Sequence, residues 1–438
     1  MLTTGPNPDT STKTEHGCCQ SKTISIWDNP RKIGRYMTDD EHSSHIYLDT
    51  AASTPVADEV ITEMLPYLKE RYGNPSSIHK FGRETTRAIH LARKRVAEMI
   101  GASSPREITF TSGGTEANNL ALKGTAIHVK SKMTKKNMII TSSIEHDAVL
   151  EPCKDLEDRG FVTMHLPVTG EGLVRPSELK NVVSDNVALV SIMYANNEVG
   201  TIQPIKELVE IAHQAGALFH TDAVQAAGKL PLNVKNLGVD MMSLSSHKIN
   251  GPKGVGALYI RSNLKILPII HGGGQEWFLR SGTENVPGIV GFGKACELAN
   301  KRMRHYQEHV VGLRDYVIEH VLKEIPQSRL NGPRTERIAN NAHFTFFGVN
   351  GEDLIIKLDE NGIAASTGSA CSVKKQKQSH VLKAMGFSYE EITGSLRLSL
   401  GMHNTKDEVD RAVNVLSSVI TELRELSPFK SKYMVEKS

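Results

Sequence analysis

Lys248 stands at a position where a lysine needs a chemical reason. In SLSSHKINGPKG, Ser243 to Gly254, the hydrophobic segment VDMMSL runs into serines, a histidine and this amine before a Gly-Pro turn. Desolvation lowers the proton affinity of an amine and makes it nucleophilic, which suits Schiff-base chemistry; a structural lysine there would instead need a buried partner. Other reactive groups follow stretches of the same apolar texture. Gly113, Gly114 and Thr115 in TSGGTEANN open a helix whose first N–H groups and dipole can hold a phosphate, although a glycine pair before a helix is more often only a turn. Asp222 in HTDAVQAAGK closes an apolar run, where an ionised carboxylate has to be paired, by a cap or salt bridge or by a ligand. His146 in SIEHDAV, Asn197 in YANNEVG and Gln225 occupy equivalent ends, and each taken singly reads as a satisfied polar residue. The chain has no GxxxxGK[ST] loop, and GPKGVG precedes a strand, which argues against P-loop and dinucleotide readings.

The elements that must position these groups are predicted by hydrophobic period. EITFTS, NMIITSS, FVTMHLPV, VALVSIMYA, ALFHTDAV, VDMMSLSS and VGALYIR read as strands covered on both faces, alternating with amphipathic helices. That pattern predicts an α/β domain with a mainly parallel sheet, whose ligand crevice lies beyond the carboxyl ends of the strands. After about Asn300 a long helix, the strands NAHFTFFGV and SLRLSLG, and a final amphipathic helix predict a second, smaller α+β domain. The expected division is a leader over 1–45, a large domain over 55–300, and a small domain from 46–54 with 301–438.

With 438 residues, 39% hydrophobic and 23% charged, the composition is that of a globular protein of two domains. A formal net charge of +3 argues against nucleic acid as a partner, and no apolar run is long enough for a membrane span. Cys18, Cys19, Cys153, Cys296 and Cys371 are too few and scattered for a disulfide framework, which points to the reducing cytoplasm. The adjacent thiols of Cys18 and Cys19 make a poor metal site, so no metal is expected, and the polar leader reads as a disordered tail without a targeting signal.

A lysine, a phosphate cradle and a carboxylate for a pyridinium nitrogen are together what pyridoxal phosphate requires of a protein. At this point the motifs TSGGTEANN, SIEHDAV, ANNEVGTIQP, HTDAVQAAGK, SSHKINGPKGVGALYIR, HGGGQE and LRSGTENVPGIVG resemble the cysteine desulfurases, pyridoxal-phosphate enzymes of the class V aminotransferase fold. The resemblance runs from about Ile46 to Leu426. It implies the fold-type I architecture with a seven-stranded sheet and makes Lys248 the lysine that condenses with the cofactor's aldehyde. It assigns Asp222 to the pyridinium nitrogen and His146 to the ring face. It gives Asn197 and Gln225 the phenolic-oxygen side, and the phosphate to Gly114, Thr115, Ser245 and His247. Thr283 in RSGTEN is assigned to the phosphate of a neighbouring subunit's cofactor, which implies a homodimer.

Cys371, in STGSACSVKKQKQSHVL, lies among small and polar residues with lysines behind it, a setting that favours a thiolate, whereas Cys153 and Cys296 read as buried fillers. The resemblance makes Cys371 the persulfide-forming nucleophile and Arg397 the grip on the substrate carboxylate. The implied reaction converts L-cysteine to L-alanine and hands sulfur to iron-sulfur scaffold or thiolation proteins. A selenocysteine lyase is the nearest alternative, suggested by Asp147 but not by the compact cysteine segment. A transaminase would need no thiol, and a non-catalytic scaffold would have no use for Lys248, Asp222, His146 and Cys371 together.

Overall fold

Each predicted strand of the large domain forms in the computed structural model, which describes residues 45–132, 135–368 and 378–426. In chain order the strands are β1 (Ile46–Tyr47), β2 (Ile108–Thr111), β3 (Met138–Ser142), β4 (Val162–Leu166), β5 (Val187–Ser191) and β6 (Leu218–Asp222). They continue with β7 (Met241–Ser245), β8 (Gly256–Ile260), β9 (Ser328–Leu330), β10 (Asn341–Phe346), β11 (Ile363–Ala364) and β12 (Ser395–Ser399). The seven-stranded sheet has the order β2-β8-β7-β6-β5-β3-β4. Only β8 runs against its neighbours, pairing antiparallel with both β2 and β7, while the other pairs are parallel. Strands β5, β7 and β8 are buried along their whole length, which is why their sequences show no polar alternation.

The helices that matter for the site are α1 (Lys80–Met99), α2 (Gly114–Lys132), α3 (Asp147–Glu157), α4 (Val286–Glu324) and α5 (Lys406–Leu426). Asn285 caps α4 by accepting the Gly288 amide at 3.1 Å, and a proline follows in the first turn. This helix starts before the stretch singled out in the sequence and extends for 39 residues, roughly 58 Å at 1.5 Å per residue. Its first third packs on α1, where a Cβ on Gly293 would lie 2.5 Å from Ala92 Cα, so only glycine permits that approach.

Two apolar cores flank this helix. One surrounds the seven-stranded sheet and takes Ile289, Phe292 and Cys296 from α4. The other takes Val310, Val317 and Val321 from the same helix and packs them with Phe344, Leu396 and Leu416. In that second region β9, β10 and β12 form an antiparallel sheet, and β1 pairs parallel with β11. The leader with Cys18 and Cys19, and the segment bearing Cys371, lie outside the described residues.

Candidate active site

Lys248 sits at the end of a single 3₁₀ turn, Ser246–Lys248, directly after β7. The turn is fixed from a distance in sequence, because the Thr54 amide and hydroxyl both donate to His247 O at 2.9 Å, and Asn250 N donates to Thr54 Oγ1 at 2.8 Å. Behind it a Cβ on Gly251 would meet Ser246 Oγ at 2.0 Å, which explains the glycine of the ING turn. The amine donates to Ala51 O at 2.6 Å and Ala52 O at 2.7 Å. A core strand thus delivers the ammonium to carbonyls of the segment that follows β1.

That amine faces a cavity of about 300 Å³, lined also by Gly114, Thr115, His146, Asn197, Asp222, Gln225, Ser245, His247 and Arg397. Apart from Arg397, these are the residues picked out at strand ends, and the parallel order of the sheet brings them together. At one end the first amides of α2 open beside Ser245 and His247. A Cβ on Gly114 would lie 2.7 Å from Val224 Cγ2, so the helix start fits only with glycine there. Burial, followed by the charge of Lys248, pushes the His247 imidazole down to about 4, leaving it neutral near pH 7.

Asp222 is 6% exposed and is held from two sides, by Asn118 Nδ2 at 2.6 Å and by the Val224 amide at 2.9 Å. His146 caps α3, its Nδ1 accepting the Ala148 amide at 3.0 Å. In the neutral ring the proton is therefore on Nε2. Gln225 gives its Nε2 to Ala51 O at 2.9 Å, while its Oε1, buried on the cavity wall, has no hydrogen-bond partner among the described residues. Amine, anion-binding helix start, buried carboxylate and an unsatisfied acceptor form a donor set that fits a flat, phosphorylated pyridine aldehyde.

Arg397, on β12, reaches the cavity from the second sheet. Its Nη2 pairs with Asp49 Oδ1 at 2.7 Å, and its Nη1 donates to Asn197 O at 2.9 Å and Gly368 O at 3.1 Å. Its Nε is buried without a hydrogen-bond partner among the described residues. Next to it Glu198 accepts from Ser379 Oγ at 2.5 Å, and burial raises its carboxyl above the usual range. Gly368 and His380, which flank the segment containing Cys371, both line the cavity. Cys371 itself lies outside the described residues. Thr283 is exposed and is not among the residues lining this cavity. Cys153 and Cys296 are fully buried, and burial pushes the Cys153 thiol up to about 12.

Sequence reasoning missed Asn118, Glu198, Asp49 and the carbonyls of Ala51 and Ala52. Asn118 was within reach, lying one helical turn beyond Gly114 in the quoted TSGGTEANN. Nothing local announces Asp49, whose partner is 348 positions away.

Residues 46–412 match the aminotransferase class-V family. The chain belongs to that family. Within it, the chain is 52% identical over 392 residues to the cysteine desulfurase IscS of Dictyoglomus turgidum, covering 90% of this chain and 98% of the relative. It is also 52% identical over 387 residues to IscS of Methanosarcina thermophila, covering 88% and 95%. Among solved structures, a NifS-like protein superposes with a TM-score of 0.81 at 39% identity, covering 86% of this chain and all of that one. SspA in complex with cysteine gives 0.73 at 37% identity, covering 82% of this chain and 100% of that one.

Proposed function

We propose that this chain is a cysteine desulfurase that removes sulfur from L-cysteine, leaving L-alanine and a persulfide on Cys371. The observation that carries the reading is the convergence of Lys248, Asp222, His146 and Arg397 on one cavity, in a chain half identical to proteins named cysteine desulfurase. Bound there, pyridoxal phosphate supplies an electron sink for the substrate's α carbon. Lys248 would hold its aldehyde carbon, Asp222 its ring nitrogen, Gln225 and Asn197 its phenolic side, and Gly114, Thr115, Ser245 and His247 its phosphate.

The chain's own groups divide the remaining work. Arg397 orients the substrate carboxylate through its charge, its guanidinium being held in place by Asp49 and the carbonyls of Asn197 and Gly368. Lys248, once the substrate amine has taken its place, accepts the proton at the α carbon. The Cys371 thiolate attacks the substrate sulfur, so an S–S bond forms as the Cβ–S bond breaks and the electron pair passes to carbon. His146, its proton fixed on Nε2 in the neutral form, is placed to return a proton to the product.

Sulfur then leaves for acceptors such as iron-sulfur scaffold or thiolation proteins. We infer a homodimer, with Thr283 serving the neighbouring site; exposed Trp277 and Phe278, a few residues before it, support this. The two apolar cores support a cofactor domain of 55–300 and a small domain of 46–54 with 301–438. Unbridged Cys153 and Cys296 accord with the cytoplasm. The test is Cys371→Ala in the purified enzyme: sulfide and alanine formation from cysteine should stop while the visible absorbance of the bound cofactor persists. Full turnover in that variant would overturn the reading.

A further inference from the structure

Behind the 3₁₀ turn that carries Lys248 lies another cavity, of about 210 Å³, which the chemistry above does not use. Arg302 of α4 and His403, beyond β12, stand exposed at its rim, while Lys229, Ile249 and Leu400 on its wall are buried. Val56, Leu298 and Ala299 complete a mostly apolar lining. Its volume lies below the ~300–1,000 Å³ of sites for drug-sized ligands, so an occupant has to be small.

Two donors on this wall lack what they need. Lys229 is 2% exposed, and its Nζ donates to Gln225 O at 3.1 Å; an ammonium has three hydrogens, and no carboxylate lies within ion-pair distance of it among the described residues. Its backbone is fixed by α4, where Gln307 Nε2 donates to Lys229 O at 3.2 Å. Tyr306, next to Gln307 on that helix, is half-buried, and its hydroxyl makes no hydrogen bond among the described residues. A buried amine without a counter-charge is costly, and a negative oxygen beside it removes that cost. The other polar groups around the cavity are engaged. Arg302 pairs with Glu59, His403 contacts Tyr47 O at 3.3 Å, and Lys248 donates to the carbonyls of Ala51 and Ala52. His247 is neutral near pH 7, and the Thr50 and Thr54 hydroxyls donate to backbone carbonyls.

We propose that this cavity is a second ligand site, which takes a short-chain monocarboxylate: the carboxylate meets Lys229 and the Tyr306 hydroxyl, and the hydrocarbon tail lies against Val56, Leu298 and Leu400. An apolar wall beside a cation selects an anion with a tail over a bare inorganic one, which would leave that wall uncovered. Burial, and then the charge of Lys248, pushes Lys229 down to about 7, so both forms of the amine are present near neutrality, and an entering carboxylate draws the proton onto it. The site stands apart from the desulfurase reading, which uses the other cavity.

The test is a titration of the full-length, cofactor-loaded protein with sodium butyrate, read by ligand-observed NMR at about pH 6, where the Lys229 amine carries its proton. Saturable binding with a Kd of about 1 mM is expected. Butyramide, which has the same shape without the charge, should bind at least roughly 10-fold more weakly, and Lys229→Met should weaken butyrate by a similar factor. Tyr306→Phe removes one neutral hydrogen bond and should cost about 2- to 10-fold. Ala299→Phe fills the cavity, keeps the charge and should abolish binding; with Tyr306→Phe it decides the question should Lys229→Met not fold. Above about pH 8 the affinity should fall as the amine loses its proton. Absence of saturable binding, equal binding of butyramide, or an affinity independent of pH would overturn the proposal. So would a loss of binding in Arg397→Lys with none in Lys229→Met, which would place butyrate in the first cavity.

Discussion

Arg397 and Asp49 face each other at 2.7 Å across the cavity wall, joining β12 to the segment after β1. The carboxylate of Asp49 occupies one arm of the guanidinium and the carbonyls of Asn197 and Gly368 the other nitrogen, so the side chain is locked before any substrate arrives. A lysine at 397 cannot reproduce this fork. Arg397→Lys should raise the KM for cysteine by about 10- to 100-fold, the worth of one or two hydrogen bonds to a charged group, with the cofactor spectrum intact. Steady-state kinetics with alanine detection would check it; an unchanged KM would show that substrate is gripped elsewhere.

Asp222 offers a second prediction, because its carboxylate is held by one side chain, Asn118. Asp222→Asn removes the charge that stabilises a protonated ring nitrogen, and kcat should fall by about two to three orders of magnitude. Asn118→Ala leaves the charge but frees one oxygen, so its loss should be smaller. Equal losses in the two variants would argue that geometry, not charge, is what Asp222 supplies.

Glu145 lies just before His146, entirely buried, accepting from Ser142 Oγ at 2.6 Å and Met193 N at 2.9 Å. Burial pushes its carboxyl up to about 8. A carboxyl with a raised folded-state pKa contributes stability below its unfolded value near 4.5, and that contribution is lost as pH rises through 8. Glu145→Gln keeps an acceptor and removes the titration. The stability difference, variant minus parent, should therefore move in the variant's favour between about pH 5 and pH 8, by roughly a few kcal/mol. Urea unfolding at several pH values measures this; a pH-independent difference would contradict it.

Exposed apolar side chains give the oligomer prediction. Ile78 is 91% exposed and Phe278 76%, beside a backbone that holds Glu276, Trp277 and Phe278 at positive φ. That turn is anchored by a buried fork in which Arg93 grips both oxygens of Glu276 at 2.6 and 2.7 Å. Phe278→Asp should weaken self-association, seen as a shift towards monomer in sedimentation at low protein concentration, without unfolding. Glu276→Ala, which strands a buried guanidinium, should cost about 3–5 kcal/mol of stability. A Phe278→Asp protein that sediments like the parent would remove this face from the interface.

The sheet was legible because its strands are short, β-branched and nearly continuous in hydrophobicity, and because strand ends in a parallel sheet share one edge. That is why Thr115, His146, Asn197, Asp222, Gln225 and Lys248 could be named together before any geometry was known. The start of α4 was misread by several residues, since glycines such as Gly288 and Gly293 look like breakers until the close approach to α1 is seen. The partners of Lys248 were invisible for a different reason. They are backbone carbonyls, at Ala51 and Ala52, supplied by a segment nearly 200 positions earlier.

That segment has a consequence for synthesis. Thr50 N and Oγ1 bind Ser399 O at 3.1 Å, and Asp49 bridges to the same strand. A nascent chain on the ribosome therefore lacks the wall that receives the ε-amine until its last strand has emerged, although the seven-stranded sheet is long since translated. Truncations ending before residue 399 should yield a folded sheet with an unfinished pocket, which ties competence for vitamin B6 loading to completion of translation.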